Sequence, residues 1–215
     1  MKRMSIAALC VASAYVASTA TASAVLPEFT GPFPKTFTAA SKGSRLETVS
    51  GIQTKCASDT ALGEITGAQN GAITITFSGC KLKKVSCNTP GATPGTIATN
   101  SLSMKMYYVN KAKKTVGIDL EEPSGAPFLE YGCGSATFVR VVGSVIGRIK
   151  PVNKLVTPSE TFVLRFVENL GIQKIANLEG GPVDVLESSF GGPFEGTGLE
   201  STDFLLFGEP VTLIA

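Results

Sequence analysis

Residues 102–121, LSMKMYYVNKAKKTVGIDLE, contain the clearest pattern of alternating apolar and polar side chains. The first part of this stretch carries an apolar side chain at every second position from Leu102 to Tyr108. The polar run NKAKK, residues 110–114, follows and is typical of a short hairpin loop. A period of two is the signature of a half-buried antiparallel strand. The stretch therefore predicts two antiparallel strands joined by a tight turn.

The second strand of this hairpin, TVGIDLE at residues 115–121, alternates in the same way. The side chains expected to face the core are Val116, Ile118 and Leu120. Asp119 and Glu121 fall between them, so we expect both carboxylates to face the solvent.

The same period recurs in ITITF at residues 73–77 and in TFVLRF at residues 161–166. The 23 Gly and 12 Pro residues separate such runs and leave little room for helices. GSVIG, residues 143–147, predicts a bend or bulge in a long strand. Roughly ten to twelve strands exceed what one open sheet holds comfortably, so the chain is expected to be all-β, an antiparallel β-barrel or β-sandwich.

Three segments organise the chain. Residues 1–24 have a basic start, an apolar run and a small-residue site ending at Ala24, which predicts a cleaved secretory signal peptide. Residues 25–44 are rich in Pro, Ser and Thr and are expected to form a loose arm. Residues 45–215 are expected to form one β domain, secreted and without an integral membrane segment after cleavage.

The charge balance argues against nucleic-acid binding. Without Lys2 and Arg3, the 19 basic residues fall to 17 and equal the 17 acidic ones. Nucleic-acid binding requires an excess of Lys and Arg to displace counterions. A nucleic-acid partner is therefore not expected.

Four cysteines remain after the predicted cleavage, and an even number in an exported chain favours two disulfides. A zinc site would need closer cysteine pairs or histidines, and a redox pair would need a Cys-x-x-Cys spacing. Of the three possible connectivities, we expect Cys80–Cys87, which closes a short loop, and Cys56–Cys133, which closes a long one.

Catalytic machinery is hard to find in this sequence. The chain has no His, which excludes histidine-based triads, bases and metal ligands. No P-loop, nucleophile elbow or dinucleotide fingerprint is present. We expect no enzyme activity, no cofactor and no metal. A glycan hydrolase would need only two carboxylates, and the candidates are Glu121, Glu122, Glu130, Asp184 and Glu187.

Several segments resemble a group of secreted actinobacterial proteins. The resemblance is carried by ITFSGCKLKKVSCNTPGATPG from residue 75, by GSVIG with the following PVN, and by LESSFGG at residues 186–192. It covers most of the chain from about Cys56 onward. It implies export and four disulfide-bonded cysteines, and it implies no activity.

These observations favour a non-catalytic extracellular or cell-envelope protein that binds or supports other components. Its partner would be an envelope polymer or another secreted protein. Two alternatives stay open. One is the carboxylate-based glycan hydrolase. The other is a carrier of a small apolar ligand in a barrel, with a cavity lined by Phe77, Met104, Met106, Phe162 and Phe166.

Two lysine clusters are candidates for contact with an anionic polymer. They are Lys81, Lys83 and Lys84, and Lys111, Lys113 and Lys114. The first follows the strand ending at Phe77 and the second follows the strand ending at Val109. If these strands are antiparallel neighbours, the clusters lie at opposite ends of the sheet, roughly 30 Å apart for a ten-residue strand. They would then act as two separate patches.

Overall fold

The computed structural model describes residues 26–135 and 137–215, and these residues form strands and turns without any helix. The strands are β1 (Glu28–Phe29), β2 (Lys35–Ser41), β3 (Ser44–Thr48), β4 (Gln53–Cys56), β5 (Ser58–Ile65), β6 (Asn70–Ser78), β7 (Lys81–Leu82), β8 (Val85–Asn88), β9 (Ile97–Ala98), β10 (Leu102–Asn110), β11 (Thr115–Glu121), β12 (Leu129–Cys133), β13 (Thr137–Lys150), β14 (Leu155–Val156), β15 (Phe162–Phe166), β16 (Glu168–Asn169), β17 (Ile172–Gln173), β18 (Leu186–Ser189), β19 (Glu195–Phe207) and β20 (Val211–Ile214).

The predicted hairpin is confirmed as β10 and β11. Met104 lies opposite Leu120 and Met106 lies opposite Ile118, and all four side chains are buried. The turn at residues 111–114 joins the two strands. In β10 the alternation seen in the sequence is the alternation between core and exterior, whereas β11 is buried from Val116 to Leu120. The prediction that Asp119 faces the solvent is therefore wrong, since this residue is only 7% exposed.

The main sheet closes on itself. Its strands follow the order β10-β11-β13-β12-β8-β7-β4-β3-β19-β2-β5-β6, and β6 pairs again with β10. Strands β15 and β18 each pair with both β13 and β19, so they connect opposite sides of this ring. The predicted all-β, single-domain, antiparallel fold is confirmed.

The long strand β13 changes partners near its middle. Up to Gly143 it pairs with β12 and β18, and from Ser144 onward it pairs with β11 and β15. Gly143 has a φ of +96°, and a Cβ at this position would lie 1.9 Å from the carbonyl oxygen of Val185. The bend predicted from GSVIG is therefore present, and only glycine fits there.

Aromatic side chains fill the end of the core that lies between β2, β15 and β19. Phe29, Phe37, Phe162 and Phe207 pack with ring centroids 5.3–6.0 Å apart. At the other end, the buried Tyr131 hydroxyl donates a hydrogen bond of 2.9 Å to Thr54 Oγ1. The core thus extends through both halves of the ring.

The prediction of a loose arm at residues 25–44 is wrong. Strand β2 lies between β19 and β5, and Phe29 and Phe37 are buried in the aromatic core. Alternate residues of β2 are buried, a period that its Thr-rich composition obscured. The predicted signal peptide, residues 1–24, lies outside the described residues.

All four cysteines form disulfides, but the predicted pairing is wrong. The bonds are Cys56–Cys80 and Cys87–Cys133. Cys87 lies directly opposite Cys133, and the β4–β7 register, continued by one residue, brings Cys56 opposite Cys80. The four cysteines therefore occupy one row across neighbouring strands. Cys80 and Cys87, at the β7–β8 hairpin, do not bond to each other but to the cysteines of the strands on either side. Sequence spacing alone does not reveal which strands flank the β7–β8 hairpin.

Each disulfide joins two neighbouring strands that share little backbone pairing. Strands β4 and β7 share two register pairs, and so do β8 and β12, whereas β5 and β6 share eight. The covalent bonds therefore hold together the part of the ring where hydrogen bonding is sparsest.

Candidate functional site

A large surface depression runs along β4 and the β7–β8 hairpin. It is an open groove of about 1070 Å³, and we call it the basic groove. Its charged lining consists of Lys55, Lys81 and Lys83. Its apolar lining includes Leu82 and Phe190, and both disulfides contribute a cysteine to it. Since the described lining contains no acidic side chain, the groove carries an uncompensated positive charge.

The strand register places three cations side by side. Lys55 on β4 lies opposite Arg45 on one neighbouring strand and opposite Lys81 on the other. We call these three residues the cationic row. Like charges directly opposite each other in a sheet are destabilising, by roughly 0.2–1 kcal/mol per pair. The row is therefore an arrangement that stability alone does not favour.

Acidic residues neutralise only one end of the cationic row. Arg45 pairs with Glu168, with Glu47 at 3.3 Å and with Glu200 at 2.8 Å. Within the described residues, no ion pair includes Lys55 or Lys81. Their ammonium groups are exposed and available to an external anion.

A second depression of about 550 Å³ extends the basic groove across β3 and β4. It shares Lys55 and Cys56 with the groove and adds Lys42 and Arg45. Its one acidic lining residue is Glu200, which is paired with Arg45. The depression therefore adds one cation without an ion pair among the described residues, Lys42, to the surface beside the groove.

The turn of the β7–β8 hairpin presents two further lysines. Lys83 and Lys84 occupy the two positions between the paired residues Leu82 and Val85. Lys83 has a φ of +56°, a left-handed conformation that costs a side chain about 1–2 kcal/mol and normally favours glycine. Lys83 lines the groove, whereas Lys84 is exposed beside it.

The second lysine cluster lies far from the groove. Lys111, Lys113 and Lys114 are exposed in the β10–β11 turn. Strands β6 and β10 are antiparallel neighbours, with Lys105 opposite Asn70. By this register the ends of β6 and β10 are separated by about 13 residues, or about 40 Å along the strands. The two clusters therefore do not form one surface.

The interior leaves little space for a ligand. A cavity of about 30 Å³ is lined by Phe77 and its neighbours, and one of about 10 Å³ by Met104 and Met106. Phe162 and Phe166 are fully buried in the packed core. Small-molecule sites usually measure about 300–1,000 Å³. The residues named for a carrier cavity are packing residues.

The carboxylates considered for hydrolysis are separately engaged. Glu121 pairs with Lys105 at 2.6 Å, and Glu130 pairs with Arg140 at 3.4 Å. Glu122 accepts hydrogen bonds from its own turn, which lower its pKa. The other two lie on or beside β18: Asp184 accepts a hydrogen bond from Ser144, and Glu187 is half-buried. None of the five lines the basic groove.

The sequence interpretation missed a buried pair of acids, Asp59 and Asp203. Asp59 accepts a hydrogen bond from Ser41, and Asp203 accepts one from Ser201. Burial and the hydrogen-bonded Asp59 raise the pKa of Asp203 to about 8. The two carboxyl groups therefore share a proton at neutral pH. Both lie on the inward face of alternating strands, a signal that was present in the sequence, and being buried they cannot contact a polymer.

Comparison with known proteins does not add an assignment: no family model, no curated protein and no solved structure matches the chain. In residues 26–135 and 137–215, no helix is long and apolar enough to cross a membrane. Those residues also contain no group of three or more acidic, cysteine or histidine side chains arranged to hold a metal.

Proposed function

We propose that this chain is an exported, non-catalytic protein that binds an anionic polymer of the cell envelope through the basic groove. The observation that carries the proposal is the cationic row, in which Lys55 lies between Arg45 and Lys81. Two of these three cations have no acidic partner within the described chain. Bringing an external anion to the row would relieve the repulsion that the sheet imposes.

The groove has the shape expected for a polymer rather than for a small ligand. It is open along its length and continues into the depression that contains Lys42. Neighbouring strands are about 4.8 Å apart, so the unpaired Lys55 and Lys81 present two positive charges about 5 Å apart across the strands. A flexible chain with anionic groups at similar spacing can contact several of these charges at once. The apolar lining beside the lysines adds contact area for the polymer backbone.

The compartment is consistent with this proposal. Both disulfides join strands of the same ring, which indicates folding in an oxidising environment. The resemblance to secreted actinobacterial proteins stays a prediction, and it also points to export.

The test compares two triple variants that remove equal charge. The first, K55Q/K81Q/K83Q, neutralises the basic groove, and the second, K111Q/K113Q/K114Q, neutralises the distant turn. The probes are dextran sulfate, uncharged dextran and isolated cell envelope. Each exposed ionic contact contributes about 0.2–1 kcal/mol, so we expect the groove variant to bind dextran sulfate about 3- to 100-fold more weakly.

The expected pattern is specific. The turn variant should bind like the unmodified protein, dextran should not bind, and added salt should weaken the interaction by screening. Equal losses in both triple variants would show that net charge rather than the groove controls binding. Envelope retention that neither salt nor the groove variant changes would contradict the proposal and would favour a neutral envelope component or a secreted protein partner.

A further inference from the structure

The outer side of four neighbouring strands, β19, β2, β5 and β6, carries no charge over its central part. The strand register arranges the outward residues of these strands in two rows that cross the sheet. The first row consists of Leu206, Thr38, Leu62 and Thr74, and the second of Phe204, Ala40, Thr60 and Thr76. We call these two rows the uncharged face, and all their residues line a depression of about 620 Å³. The lining contains no ionisable side chain.

Large apolar side chains are held in water on this face. Leu62 is 72% exposed, Phe204 is 46% exposed and Leu206 is 41% exposed. Exposed apolar side chains add nothing to the stability of a single copy, and a patch of them usually marks an interaction site. The threonines and Ala40 between them are small, so the face offers both projecting side chains and space to receive them.

Two charges of opposite sign border the face on opposite sides. Lys42 lies on the side of the second row, two residues beyond Ala40. Glu64 lies on the side of the first row, two residues beyond Leu62 on the neighbouring strand. Neither side chain forms an ion pair within residues 26–135 and 137–215. Each charge is therefore available to a charge of the opposite sign on another molecule.

We propose that the uncharged face binds the same face of a second copy of this chain in a two-fold symmetric dimer. Two β-sheets can pack face to face with the side chains of their facing surfaces interdigitated. In such a dimer the two-fold axis lies in the interface. An axis parallel to the rows keeps the position of each residue along its row and exchanges the rows. The first row of one copy then lies on the second row of the other.

The exchange of rows brings complementary side chains together. Leu62 of one copy lies over Thr60 of the second copy, because both belong to β5, so a projecting side chain meets a small one. Leu206 lies over Phe204 of the second copy, because both belong to β19, and the two form an apolar contact. Since the two rows are uncharged, no charge has to leave water at the centre of the interface.

The bordering charges favour this axis over the alternative. With the axis parallel to the rows, Glu64 of one copy is offset from Lys42 of the second copy by about one strand spacing, or about 5 Å. The dimer contains two such contacts by symmetry. An axis parallel to the strands would instead bring Lys42 beside Lys42 and Glu64 beside Glu64, and like charges across an interface are unfavourable.

The size of the face predicts a weak dimer. Four strands about 4.8 Å apart, each with about four outward residues spaced about 6.7 Å, cover about 500 Å² per copy. The total of about 1,000 Å² is at the lower limit of specific interfaces. We therefore expect a dissociation constant of about 10–100 µM. The dimer uses none of the three residues of the cationic row, so it is tested separately from polymer binding.

Sedimentation velocity of the purified, disulfide-bonded protein between about 1 and 300 µM measures this equilibrium. The unmodified protein should shift from monomer to dimer over this range. L62T/L206T should weaken dimerisation at least about tenfold, because it removes apolar area while keeping residues that favour strands. The matched control is L155T/I172T, which makes the same type of change at two exposed positions outside the face and should leave the dissociation constant unchanged.

Charge reversal tests the orientation of the two copies. K42E and E64K should each weaken dimerisation about tenfold, because two contacts in each dimer become repulsive. The double variant K42E/E64K restores opposite charges and should return the dissociation constant to within about threefold of the original value. All the changed side chains lie at the surface, so each variant should keep the circular dichroism spectrum of the unmodified protein.

A monomer at all concentrations, or a dimer that L62T/L206T does not weaken, would overturn the proposal. A double variant K42E/E64K that dimerises no more tightly than either single variant would overturn the proposed arrangement. If the protein stays monomeric and L62T/L206T instead abolishes its retention on isolated cell envelope, the face binds an envelope component and the dimer is wrong.

Discussion

Replacing Gly143 with Ala tests the point at which β13 changes partners. The added Cβ would lie 1.9 Å from the Val185 carbonyl oxygen and 3.0 Å from its carbonyl carbon. The residue also has a φ of +96°. The left-handed backbone costs a side chain about 1–2 kcal/mol, and overpacking against the backbone adds about 1–3 kcal/mol. We expect G143A to lower the free energy of unfolding by about 2–5 kcal/mol.

The matched control is G125A. Gly125 has a φ of +78°, but a Cβ there would meet nothing within 4 Å. This variant isolates the backbone contribution, which we expect to be about 1–2 kcal/mol. The difference between the variants therefore measures the close approach of β13 and the residue preceding β18.

The assay is urea unfolding of the disulfide-bonded protein, followed by far-ultraviolet circular dichroism. Both variants should keep the same dependence on urea concentration as the unmodified protein, because the surface exposed on unfolding is unchanged. If G143A and G125A lose the same stability within about 0.5 kcal/mol, the contact with Val185 does not hold β13 and the reasoning fails.

Three further variants or conditions probe other features of the core. Burial raises the pKa of Asp203 to about 8, so its contribution to stability is complete below about pH 4 and is lost as the pH rises toward 8. The amide of D203N donates permanently to Asp59. This variant should therefore reduce the pH dependence of the free energy of unfolding by about one proton between pH 5 and 7, as measured by urea titrations. An unchanged slope would exclude a shared proton. Y131F should cost about 1–2 kcal/mol, because it leaves Thr54 Oγ1 unpaired in the core, and no measurable loss would show that this hydrogen bond is dispensable. Reduction of both disulfides should lower the melting temperature and increase aggregation, measured by light scattering. The reason is that the sparsely paired strands β4 and β7, and β8 and β12, would separate and expose their edges. Equal stability with and without reductant would contradict this role of the disulfides.

The local pattern of apolar and polar residues was sufficient to predict strand pairing where a strand and its neighbour lie close in sequence. The β10–β11 hairpin follows from the alternation of apolar residues and the polar turn, because each strand turns its apolar residues toward the core. The bend at Gly143 could also be predicted, since two glycines interrupt an otherwise apolar strand. Both signals lie within short stretches of the chain, residues 102–121 for the hairpin and residues 143–147 for the bend.

The errors have a common physical origin in contacts between distant segments. Asp119 is buried although the alternation of β11 predicts that it faces the solvent. Leu178, which packs against Gly117 of the same strand, lies more than 50 residues later in the chain, so the local pattern could not reveal this cover. The disulfide pairing depends on which strands flank the β7–β8 hairpin, which is a property of the closed ring. Lys55 belongs to the basic groove although it lies far from Lys81 in sequence, and only the β4–β7 register brings them together.

The position of β2 also determines when the protein can fold. This strand pairs with β19, so Phe37 must find Phe207, 170 residues later in the chain. Folds dominated by such distant pairings form slowly, typically in milliseconds to seconds or longer, because the loop must close before the contacts stabilise it. An emerging chain cannot complete its ring until β19 has been made, and until then the partner edge of β2 stays open. Slow closure of this kind would suit the export that we propose, because an incomplete sheet leaves the chain unfolded until its last strands are available.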